Sequence, residues 1–178
     1  LGNIGDTAFL FRSRDLIHWE YLHPFYNSKL KKKQERDCAV PDFFALGDKH
    51  MLLFPSHERG AQYYIGTYTD LKFNPEHHGR LNFGEFTLSS GNVMAPWTLL
   101  DDQGRRICMA WISEGRSEEV QRELGWSGIM SLPMEFSLFD DHSLRIETVE
   151  ELTSLRREHC HLEDVNIPFD TSDLLKDI

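Results

Sequence analysis

Apolar stretches in this chain are short, and a cluster of turn-forming residues stops each one; that punctuation constrains the fold more than any other feature. Residues 7–12, 43–46, 51–54, 62–68, 107–112, 134–138 and 144–149 read as strands, and residues 98–100 lead into a turn in the same way. Between them lie Gly47-Asp48-Lys49-His50, Asp101-Asp102-Gln103-Gly104 and Asp140-Asp141-His142-Ser143. Gly takes positive φ without a Cβ penalty and Asp hydrogen-bonds nearby backbone, so each cluster predicts a hairpin. A helical pattern is absent until the end, where Thr148 stands three residues before Glu151 and Val149, Leu152 and Leu155 share a face. The chain is therefore expected to be all-β, closed by a short linker helix with a capping box.

The hairpins resemble one another. Residues 43–54 reappear in outline as residues 98–111, with Gly47 and Gly104 separated by 57 positions and Asp102 and Asp141 by 39. An all-β unit recurring every ~40–50 residues suits the four-stranded blades of a propeller. Two unrelated hairpins with common turn chemistry would give the same outline.

At 178 residues the chain fits one domain or a piece of a larger protein. It opens at Leu1 with neither an initiator Met nor a signal-peptide pattern, which reads as an interior segment and leaves the compartment open. A formal net charge of −10 repels phosphate backbones and argues against nucleic-acid partners. No apolar run approaches the ~20 residues of a membrane-spanning helix. Cys38, Cys108 and Cys160 are far apart and odd in number, which argues against a disulfide framework. Lys29 with Lys31, Lys32 and Lys33 reads as a solvated loop in an otherwise acidic chain.

The usual nucleophile, phosphate-loop and zinc motifs are missing from the sequence. His77 and His78 are adjacent, and neighbours on a strand point to opposite faces, so a shared metal is not expected. More informative is Asp37-Cys38-Ala39-Val40-Pro41-Asp42-Phe43-Phe44, where two acids flank a proline. Proline has no amide donor, which places this stretch at a strand end or edge, with side chains free to face a cleft. Asp42 as a strand-end cap and Asp37 as a solvated loop acid are the plain alternatives. Trp111 and Trp126 are the other candidates, because an indole face attracts the slightly positive C–H groups of a sugar. Core packing is the ordinary alternative for a strand tryptophan, although Gly125 and Gly128 around Trp126 suggest a loop or a close backbone approach.

Taken in order, these residues resemble glycoside hydrolase family 32, the β-fructosidases. Residues 12–20, Arg-Ser-Arg-Asp-Leu-Ile-His-Trp-Glu, are similar to the segment that precedes the family's acid/base strand. Pro41-Asp42-Phe43-Phe44 resembles the end of its Glu-Cys-Pro-Asp-Phe-Phe motif. Residues 63–68 with Phe73, Pro75 and Glu76 look like the next blade, and Ala95-Pro96, residues 99–102 and residues 104–106 like the blade after it. Residues 125–135 resemble the closing Gly-Trp-x-Gly-x-x-Ser-Leu-Pro-Arg-Glu segment, and residues 149–152 with Leu155 and Arg156 the linker to a second domain.

The resemblance implies about the last three blades of a five-bladed β-propeller over residues 1–147. Residues 148–178 would then hold a linker helix and the start of a mostly missing β-sandwich. It also implies a retaining glycosidase acting on a small β-fructoside without a cofactor: one carboxylate attacks the anomeric carbon, and another protonates the leaving oxygen. The family's nucleophile motif and its Arg-Asp-Pro motif do not occur in these residues, and its acid/base Glu falls on Ala39. Asp37, two residues earlier and on the same face of a regular strand, is the expected substitute. Asp42 is expected as an orienting group, with Trp111, Trp97 and Trp126 as sugar-contacting aromatics. A degenerate propeller that binds carbohydrate without cleaving it is the competing expectation. Two structural expectations follow. A three-blade segment should expose apolar residues near Phe9, Phe11 and residues 129–138, and an acid at position 37 or 42 should lie within about 10–12 Å of the Trp111 indole, roughly the width of a one-sugar pocket.

Overall fold

The computed structural model describes residues 8–26, 39–56, 59–81 and 92–157, so Asp37 and the lysines at 29–33 lie outside the described residues. The chain divides into two units, Leu1–Thr148 and Val149–Ile178. In the first, β1 (Phe9–Ser13) and β2 (Trp19–Pro24) form a two-stranded hairpin. A four-stranded antiparallel sheet follows in the order β3 (Asp42–Leu46), β4 (Lys49–Ser56), β5 (Gly60–Thr69), β6 (Lys72–Arg80). Next come β7 (Val93–Leu100), β8 (Arg106–Ile112), the helix α1 (Glu118–Leu124) and the strands β9 (Ile129–Met130), β10 (Met134–Leu138) and β11 (Leu144–Thr148). This last sheet runs β11-β10-β8-β7, with β9 added beside β8.

The turn residues act as their chemistry requires. Gly47 and Gly104 take φ of 59° and 79°, a region costly for a residue with a Cβ. Asp101 accepts from the Gln103 and Arg105 amides and pairs with the Arg105 guanidinium at 2.8 Å, closing β7 onto β8. Asp141 accepts from the Ser143 amide and hydroxyl and closes β10 onto β11.

Alternation along β4 explains why the middle sheet sits between two others. Leu52 and Phe54 join Phe25, Tyr26, Tyr64 and Phe73 in a cluster shared with the first hairpin. Met51 and Leu53 point the other way and join Phe44, Ile65, Cys108 and Phe136 in a cluster shared with the last sheet. A strand buried on both faces needs an apolar residue at every position, which residues 51–54 supply. Complete burial of each such side chain contributes about 1.5–3 kcal/mol. The outward faces are open: Phe11, Trp19 and Tyr21 are exposed on one, and Ile129 and Met130 are exposed beyond the other. Phe136, inside the 129–138 stretch expected to be exposed, is instead buried, because alternation turns it toward the middle sheet.

Besides β2 and β9, which no apolar run marks, three elements depart from the sequence reading. β6 contains Pro75 and Gly79, and its polar residues conceal a strand; Pro75 sits at a bulge opposite Gly66, where a Cβ would collide with the Asn74 carbonyl. α1 buries none of its residues and so carries no apolar stripe, but Ser117 caps its start and Gly125, at φ 75°, ends it. At the C-terminal end the expected capping box does not form. Thr148 is paired with Met134 as the last residue of β11, and Glu150–Leu155 is a 3₁₀ helix that starts from Val149 without a side-chain cap.

Candidate active site

β3 and β7 begin, and β8 ends, at one end of the two larger sheets. Two backbone kinks mark this end. Val40 has φ 36° and Ala95 has φ 43°, and each precedes a proline. Positive φ costs a residue with a Cβ of order 1–3 kcal/mol, and a following proline narrows the choice further. The repeat seen in the turn glycines thus extends to Val40-Pro41 and Ala95-Pro96. The Ala39 amide donates to the Pro55 carbonyl at 3.2 Å, tying this residue to the end of β4.

Asp42, the first residue of β3, turns its carboxylate toward β7. Its Oδ2 accepts from the Thr98 amide at 2.8 Å and the Thr98 hydroxyl at 2.7 Å. The acid therefore satisfies an edge-strand amide of the next sheet. Cys108 lies opposite Thr98 on β8, and burial, followed by the charge of Asp42, pushes its thiol up to about 12. Trp111 is three residues along β8 from Cys108, so its side chain leaves the opposite face of the sheet. Asp42 and Trp111 therefore do not face one another. Asp37 lies outside the described residues.

Two of the three candidate tryptophans share a surface. Trp97 pairs with Met109, and Trp111 is the next residue on that face of β8 and pairs with Met130 of β9. Diagonal neighbours of this kind are about 7–8 Å apart, within reach of aromatic side chains. Both indoles are more than two-fifths exposed, at 44% and 43%. No indole in this strip is buried as core packing would require.

Trp126 sits in a compact loop over residues 113–128, and it introduces two residues that the sequence did not flag. Glu114 accepts from the Arg116 amide, Nε and Nη2 at 2.8, 2.8 and 2.6 Å, and from the Gly128 amide at 2.8 Å. The Arg116 guanidinium, followed by the Gly128 and Arg116 amides, holds the Glu114 carboxyl well below the usual carboxylate range, and the same pairing raises Arg116. Arg116 lies 3.8 Å above the Trp126 ring, a close cation–π contact. Gly128 has φ 66°, and a Cβ there would come within 2.5 Å of the Trp111 Nε1. The only signal in the sequence was the pair of glycines around Trp126; nothing in it joins residue 114 to residue 128.

A cavity of about 290 Å³ opens beside this loop, between Ile112, Glu114, Arg116 and Trp126. A larger one, about 610 Å³, lies at the opposite end of the sheets among the β3–β4, β7–β8 and β10–β11 turns, and its lining among the described residues holds neither Asp42 nor any of the three selected tryptophans. The smaller cavity is the better candidate, because Trp126 lines it together with the end of β8 and the Glu114–Arg116 pair.

Comparison with known proteins agrees with this picture. Residues 3–148 match the N-terminal domain of glycosyl hydrolases family 32. A sucrose-6-phosphate hydrolase of Escherichia coli is 31% identical over 169 residues, covering 89% of this chain and 34% of that protein. A raffinose invertase of Escherichia coli is 30% identical, covering 90% and 34%. A β-fructofuranosidase of Bombyx mori superposes with a TM-score of 0.69 at 24% identity, covering 87% of this chain and 34% of that structure, a likeness in fold. The chain thus spans about a third of the length of these relatives. With mostly β structure, few helices and a family match running across all three sheets, the chain belongs to glycosyl hydrolases family 32, within its N-terminal domain.

Proposed function

We propose that the whole protein is a β-fructosidase that hydrolyses terminal fructosyl bonds of sucrose or short fructans with retention of configuration. The supporting observation is the family match over residues 3–148, together with the Pro41-Asp42-Phe43-Phe44 motif at the kinked start of β3. In this reading the two-stranded hairpin and the two larger sheets are about the last three blades of a five-bladed propeller, occupying residues 1–147. Residues 148–178 lead into a β-sandwich. Asp37 stands in for the missing acid/base Glu, and Trp97, Trp111 and Trp126 contact the sugar. Asp42 acts by holding β7 in place.

Ala39 favours a second reading, in which the protein binds carbohydrate and does not cleave it. A methyl group transfers no proton, so general acid catalysis at this slot would be lost. Incubating the whole protein with sucrose and 1-kestose separates the two. Fructose release that Asp37→Asn abolishes supports the hydrolase with this acid assignment; release that survives Asp37→Asn removes the assignment. Binding with no release leaves the carbohydrate-binding reading. Retention is checked by trapping the fructosyl unit with methanol, where the β-methyl fructoside is the expected first product.

A further inference from the structure

Glu114 accepts four hydrogen bonds while lining the smaller cavity. Its four accepted bonds all come from its own loop. Those bonds have two consequences. They hold the Arg116 guanidinium over the Trp126 ring, and they fix Gly128 where its missing side chain admits the edge of Trp111. Two tryptophans are therefore set by one acid. Half of the Trp126 surface remains exposed, and with Arg116 on one ring face the open area lies on the rest of the indole.

The chemistry of the pocket narrows what fits it. The cavity of about 290 Å³ is at the small end of the usual ligand range of about 300–1,000 Å³, room for a single ring. One wall is a flat apolar indole; the rim carries the Glu114–Arg116 pair and the start of the Ile129 strand. A ligand with an apolar C–H face and a hydroxylated edge matches both, and a sugar ring has that form. Charge decides between sugars. A bidentate carboxylate already neutralises the Arg116 guanidinium, so a phosphate arriving at its remaining N–H groups would meet no net positive charge from the pair. We infer that the loop over residues 113–128 is a subsite for one uncharged sugar ring, with Glu114 as its positioning residue. The inference rests on the proposed β-fructoside ligand and specifies which part of this chain reads it, and with what charge preference.

The test is a fluorescence titration of the whole protein with sucrose and with sucrose 6-phosphate, which needs no turnover. Trp126→Ala alters an exposed loop side chain and should leave the fold intact. It is expected to raise both dissociation constants by about tenfold, the scale of a lost stacking contact of this kind. Glu114→Gln should raise the constant for sucrose similarly and shift the tryptophan emission, because Trp126 and Trp111 lose their common anchor. Arg116→Met should leave the ratio of the two constants within about twofold. The inference is overturned if Trp126→Ala changes neither constant, or if Arg116→Met weakens sucrose 6-phosphate tenfold more than sucrose, which would make Arg116 a phosphate contact. Hydrolysis of sucrose with no effect of these substitutions would defeat the subsite alone. Binding that responds to them without hydrolysis would defeat only the hydrolase reading, and no binding of either sugar would defeat both.

Discussion

In the sheet formed by β3 to β6, both faces of β4 are buried; in the sheet that follows, Cys108 and Ala110 of β8 are buried while Trp97 and Trp111 on the opposite face stay exposed. The two sheets share a hairpin plan, down to a turn glycine and a kinked residue before a proline. What differs is how much of each strand is committed to packing. Residues 51–54 have no position left for recognition, whereas β8 buries Ile107, Cys108 and Ala110 and leaves Trp111 exposed near its end. The loop over residues 113–128 is placed beyond the free face and is organised by polar bonds instead of apolar burial.

The largest expected effect separates those two commitments. Leu53→Ala should cost about 2–5 kcal/mol of stability by leaving a cavity between the middle and last sheets. Met130→Ala, on the exposed face, should change stability by no more than about 0.5 kcal/mol. Urea midpoints of the whole protein give both values, and equal losses would mean that the exposed face is packed in the whole protein. Next in size, Asp42→Ala should cost about 1–3 kcal/mol, because the Thr98 amide and hydroxyl lose their acceptor. Asp42→Asn, which keeps one acceptor oxygen, should cost less. A cost near zero would show that the two sheets do not depend on this bridge.

Two glycines sharpen the comparison further. Gly104→Ala meets open space and should cost only the backbone penalty, about 1 kcal/mol, whereas Gly128→Ala adds a clash with Trp111 and should cost more and alter tryptophan emission. Cys108 gives the smallest effect at neutral pH. With its thiol raised to about 12 by burial and then by Asp42, the folded protein keeps this proton where an unfolded thiol, near 8.5, loses it. Stability from this group is therefore complete below about pH 8.5 and lost as the pH climbs toward 12. At pH 8 iodoacetamide should label Cys108 only in denaturant; labelling in the folded state would show that the inter-sheet core opens. The Glu114 loop carries the opposite sign: its carboxyl is depressed, so its contribution is complete above the ordinary carboxylate range and fades as the pH falls through the lowered value.

The hairpins were legible because their information is local. Asp101 with Gly104, and Asp141 with Ser143, act within five residues, and the seven strands read from apolar runs all reappear within slightly different bounds. β6 and α1 were not legible, since a strand with a proline at a bulge and a helix with no buried face lack the period that marks such elements. Trp97, Trp111 and Trp126 could be picked out as aromatics in unusual settings, but the partner of Asp42 is 56 residues away and the four donors to Glu114 converge only once the loop is closed. Contacts of that kind depend on three-dimensional register, which no local pattern encodes.

The kink at Val40 bears on what position 39 could carry. The bend is made by Val40 and Pro41, and residue 39 is held through its own amide to the Pro55 carbonyl, so neither restraint uses the side chain at position 39. Exchanging the alanine methyl for a longer acidic chain would leave the surrounding backbone as it is. A single substitution, Ala39→Glu, would set a carboxyl group at the mouth of β3 without removing either restraint on the strand.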